Sequence, residues 1–70
     1  MNMVFIVHVD YRKGGGEALG PFSTREKAVS AIMAAPTNWE SCIAQGFCDP
    51  ANGFWGNEDK SYQIEERSIQ

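Results

Sequence analysis

Basic side chains are scarce in this 70-residue chain, which has six Lys and Arg against nine Asp and Glu and a net charge of −3. No basic stripe is available to neutralise phosphates, which argues against general nucleic-acid binding. His8 is the sole histidine, and Cys42 and Cys48 are the only thiols. That set is too small and too scattered for a zinc site, and neither a metal nor a cofactor is expected. Neither cysteine has a CxxC neighbour or a flanking base to activate it. Two unbonded thiols are therefore expected, Cys42 buried and Cys48 in an exposed loop. No apolar run reaches the ~18 residues of a membrane span. The N-terminus lacks the basic region, apolar stretch and cleavage site of a secretory signal. A cytoplasmic protein without membrane contact is the expectation. A chain this short builds one domain over residues 1–70 and buries only about 60% of its unfolded surface. That leaves little room for a catalytic cleft.

What is present points to a mixed α/β chain. Met3 to Tyr11 is dense in β-branched and aromatic residues and reads as a strand. Phe5, Val7, Val9 and Tyr11 form one row, and Val4, Ile6, His8 and Asp10 the other. Both rows begin apolar, which suits a central strand. Gly14-Gly15-Gly16 supplies the positive φ of a hairpin tip and lacks the Lys-Ser/Thr ending of a phosphate loop. Glu17 to Phe22 returns as an edge strand, since Pro21 cannot donate to a ladder. Ser23 and Glu26 have capping-box spacing and open a helix that runs through Ala35, before Pro36. Thr37 and Glu40 repeat that spacing ahead of a two-turn helix, Asn38 to Gln45, with Gly46 placed as its left-handed stop. Residues 48–60 read as a long irregular loop carrying Phe54 and Trp55. Lys60 to Ser68 alternates as a last strand.

These elements predict an α+β fold: a three-stranded antiparallel sheet in the order 2-1-3, with one main helix and one short helix on a single face. One row of the central strand is then left without internal cover. Phe5, Val7 and Val9 are bulkier and are assigned to the helix side, so Val4, Ile6 and His8 look outward. A one-residue slip in register exchanges the two rows. An outward apolar row marks a homodimer or partner face, unless the 48–60 loop and Trp55 fold over it. That loop offers a second candidate site. Phe54 and Trp55 either cap the core or present a hot spot to a partner. Glu58 and Asp59 would supply an acidic rim that steers a basic partner.

The opening Val4-Phe5-Ile6-Val7-His8-Val9, the phrase Gly20-Pro21-Phe22-Ser23-Thr24-Arg25-Glu26-Lys27-Ala28 and the closing Tyr62-Gln63-Ile64-Glu65-Glu66 resemble small strand-strand-helix-strand phage and prophage accessory proteins. Some proteins of that build are anti-CRISPR or other host-takeover inhibitors. The resemblance touches about half the chain and implies an accessory role; it supplies no site motif. Residues 36–60 have no counterpart in it.

Catalysis finds little support. His8 and Asp10 share a strand face, but no serine or cysteine is placed to join them. Glu65 and Glu66 are adjacent and point to opposite faces. The expected function is a non-catalytic protein-binding inhibitor or regulator that occludes a surface on a host protein or complex. The alternatives are a small-molecule or nucleotide site between Trp39, Trp55 and the glycine hairpin, or a homo-oligomerisation module.

Overall fold

A computed structural model describes residues 2–69. The apolar run at the start becomes strand β1 (Asn2–Tyr11), and the glycine tip turns it into β2 (Gly16–Phe22). Helices α1 (Arg25–Met33) and α2 (Trp39–Ala44) follow. A 3-10 turn (Pro50–Asn52), a short strand β3 (Phe54–Gly56) and β4 (Lys60–Ile69) complete the chain. The domain is α+β with an antiparallel sheet, as its alternating rows imply. The sheet has four strands in the order β2-β1-β4-β3, not three in the order 2-1-3. The extra strand comes from the segment read as a loop. Phe54, Trp55 and Gly56 pair with Gln63, Tyr62 and Ser61, so three residues of β-prone sequence use an edge that β4 leaves open.

β1 is central, between β2 and β4. Directly paired residues share a face, so the register fixes both layers. Val7 lies opposite Leu19 and Ile64, and Val9 lies opposite Tyr62. Those rows meet Ala28 and Ile32 of α1 and Cys42 of α2 in one buried cluster, joined by Cys48 and Trp55. The bulkier row of β1 therefore faces the helices. The β1–β2 register shifts between Phe5 and Val7, because β2 carries one extra residue around Gly20-Pro21.

The helix ends depart from the expected ones in detail. Thr24, not Ser23, caps α1: its Oγ1 accepts the Lys27 N–H at 3.1 Å. Ser23 Oγ instead accepts from Lys27 Nζ at 3.0 Å. α1 stops at Met33 rather than Ala35, since a residue before proline is pushed out of the helical region. Asn38 caps α2 through the Ser41 N–H at 3.1 Å. At its far end the Phe47 N–H reaches Cys42 O and the Gly46 N–H reaches Ile43 O, at 2.9 and 3.1 Å. That bond pair is a Schellman stop, and Gly46 takes the left-handed φ of 83° that it requires. The turn delivers Phe47 against β3, where a Cβ on Gly56 would meet Phe47 O at 2.6 Å. Only glycine fits there.

Candidate functional site

The helices cover one face of the sheet and the other face is open. Val4, Ile6, His8 and Asp10 of β1 lie on the open side, opposite Arg67, Glu65, Gln63 and Ser61 of β4. Ala18 and Phe54 flank them from β2 and β3. Val4, Ile6 and Phe54 are half-buried, while Ile69, which ends the β4 row of this face opposite Asn2, is 48% exposed. All three residues expected to look outward, Val4, Ile6 and His8, do so.

A polar network crosses the middle of this face. His8 Nε2 lies 2.6 Å from Glu65 Oε1. Arg67 closes on the same carboxylate, with Nε 3.0 Å from Oε2 and Nη2 3.1 Å from Oε1. The His8 hydrogen bond and then the Arg67 guanidinium hold the Glu65 carboxyl below its ordinary range. Sequence reasoning paired His8 with Asp10 and missed Glu65 and Arg67. Their signal is in the register alone: Ile6 opposite Glu65 puts that carboxylate diagonal to His8.

The expected aromatic loop site is taken apart by the structure. Trp55 is 2% exposed and belongs to the core, not to a partner surface. It pairs with buried Tyr62, and the Arg25 guanidinium sits 5.7 Å from its ring centre. Strand alternation sends Phe54 the other way, onto the open face. Glu58 and Asp59 are exposed in the β3–β4 turn. There Asn57 Oδ1 accepts the Asp59 and Lys60 N–H groups, both at 2.8 Å. These two acids line a shallow cavity of about 250 Å³ with Thr37, Asn38, Ser41 and Gln45. Phe54, Trp55, Glu58 and Asp59 therefore do not form one surface.

Trp39 packs edge-on to Tyr62 at 6.0 Å between ring centres. With Trp55 buried, the two tryptophans do not frame an open slot for a base or nucleotide. Cys48 is 3% exposed, contrary to the expected exposed loop thiol. The bridge between Asp49 and Phe54 tucks Cys48 under β3, and burial raises its thiol pKa. Cys42 and Cys48 are both free. Among the described residues no group of three or more His, Cys, Asp and Glu is arranged to hold a metal ion. None of the described helices is long and apolar enough to cross a membrane. Comparison with known proteins found no matching family model, curated protein or solved structure.

Proposed function

We propose that the protein is a non-catalytic protein-binding module whose open sheet face docks on a larger partner. One observation carries this reading: uncovered apolar side chains, Val4 and Ile6 on β1, Phe54 on β3 and exposed Ile69 at the end of β4, flank the His8–Glu65–Arg67 network. Exposed apolar side chains beside an organised polar group suit protein contact. The network sets orientation, because a partner must match a cation, a carboxylate and an imidazole in fixed order. His8 and Glu65 make a hydrogen-bonded pair; the Ser61 hydroxyl, diagonal to His8 on the same face, is not hydrogen-bonded to either, so nucleophile and base are not coupled. The resemblance to small phage accessory proteins narrows the partner to a host protein or complex, inhibited by occlusion.

Ile6→Asp and Val4→Asp test the reading. Both sites are only half-buried, so circular dichroism and the urea midpoint should stay close to wild type. A stoichiometric partner captured by wild type and lost by both variants supports the proposal. Equal capture by wild type and Ile6→Asp refutes it.

A further inference from the structure

Beyond the face lies an edge. In an antiparallel strand, successive residues turn their N–H and C=O groups to opposite sides. Two bonds fix which way β4 alternates. The Asn57 N–H donates to Lys60 O at 2.9 Å, so Lys60 addresses the β3 side. The Arg12 N–H donates to Asp59 O at 2.9 Å, so Asp59 addresses the β1 side. Even-numbered residues of β4 therefore face β3 and odd-numbered ones face β1. β3 pairs only with Ser61, Tyr62 and Gln63. Past that point no strand among the described residues lies alongside β4, whereas β1 pairs with it out to Ile69. The N–H and C=O groups of Glu66 and Ser68 thus point from an unpaired edge, and both residues are exposed.

We infer that this edge pairs with the same edge of a second copy of the chain, joining two sheets antiparallel across β4. A two-fold axis normal to the sheet keeps each row on its own face, so the axis must pass through a residue pair. Centring on Glu65 drives Arg67 into the place that Phe54 occupies beside Gln63. Centring on Arg67 sets two guanidinium groups side by side, and centring on Ser68 shortens the overlap. Centring on Glu66 aligns Ile64 through Ser68 and places Glu65 of each copy opposite Arg67 of the other, on the open face; only Ile69, the last residue of β4, must then turn aside from Phe54 beside Gln63, whereas centring on Glu65 sets Arg67, Ser68 and Ile69 all against β3. The two intrachain pairs then merge into one four-charge network. The opposing cost is Glu66 against Glu66. Like charges directly across a ladder disfavour pairing, and a charged edge residue limits uncontrolled pairing. The association is accordingly weak and concentration-dependent.

Sedimentation over a wide concentration range tests this with four variants. Wild type should move from monomer towards dimer. Glu66→Gln should tighten the dimer by roughly two- to fivefold, by removing one like-charge contact. Ser68→Pro deletes an outward N–H that the β1 ladder does not use. It should leave the urea midpoint near wild type while weakening self-association about tenfold or more. Arg67→Pro removes an N–H directed at β1 and should destabilise the fold. Monomer at every concentration for both wild type and Glu66→Gln overturns the inference. So does Ser68→Pro that unfolds, because its N–H is then not free. A dimer that survives Ser68→Pro but is lost in Ile6→Asp assigns self-association to the open face instead, which leaves the edge inference refuted.

Discussion

Replacing Trp55 by alanine should remove much of the stability of the domain. The indole is 2% exposed and sits among Tyr62, Cys48 and the helix-facing rows in the single buried cluster. Emptying a site of that size costs roughly 3–5 kcal/mol through lost transfer energy and a residual cavity. The contact with the Arg25 guanidinium, 5.7 Å from the ring centre, is lost as well. A domain of 70 residues has a total stability of roughly 4–10 kcal/mol. Truncation therefore consumes about 30% or more of it and lowers the melting temperature by about 12 °C or more. Its neighbour provides the control. Phe54 is half-buried on the other face, so Phe54→Ala should cost about 1 kcal/mol or less. Urea unfolding followed by near-ultraviolet circular dichroism measures both. If Trp55→Ala unfolds within about 1 kcal/mol of wild type, Trp55 is not the core residue described above, and the β3 pairing that buries it is wrong.

Three further outcomes follow from the same packing. Cys48→Ser places a hydroxyl where the thiol is 3% exposed. It should cost about 1–3 kcal/mol in the urea midpoint unless the hydroxyl finds a partner; an unchanged midpoint contradicts the buried placement. Cys42→Ala should cost less, about 1 kcal/mol, through a small cavity, with guanidinium melts as the check. The Glu65 carboxyl is held below its ordinary value of 4.5 by His8 first and Arg67 second. Its contribution is therefore complete above that value and is lost as pH falls through the lowered folded value. The acid limb of stability against pH should be shallower in Glu65→Gln than in wild type, and identical limbs refute the network.

Most of the fold was legible because its signals are local and redundant. β1 carries two apolar rows, and the turn glycines and Pro36 bracket the remaining elements. Only the bulk of Phe5, Val7 and Val9 favoured their assignment to the helices, and the register of β1 with β4 shows that assignment to be correct. Phe54-Trp55-Gly56 escaped because three residues make too short a period for alternation to register. What makes them a strand is the vacant side of β4 and the Phe47 carbonyl pressed against Gly56, both of which are tertiary facts. The Ser23 box failed for a related reason: Ser23 and Thr24 both suit a cap, and the chain path into α1 selects Thr24. For the site, Val4, Ile6 and His8 were readable from alternation. Glu65 and Arg67 needed the cross-strand register, which no property of either residue encodes.

The open face and the free edge share two residues, Glu65 and Arg67, so their relation is constrained by symmetry. An axis normal to the sheet carries one open face onto the other without turning it over. A dimer joined through Ile64 to Ser68 therefore sets both open faces on the same side, and Val4, Ile6 and Phe54 of each copy stay uncovered. Self-pairing does not consume the partner surface; it doubles it. A partner with one matching surface should bind each copy independently, whereas a partner presenting two such surfaces gains avidity through effective concentration. Ser68→Pro separates these cases. Against a monovalent partner its affinity per site should equal that of wild type. Against a bivalent or immobilised partner, wild type should dissociate more slowly than Ser68→Pro at concentrations where it dimerises. Equal dissociation on an immobilised surface would mean that the two faces are not held side by side.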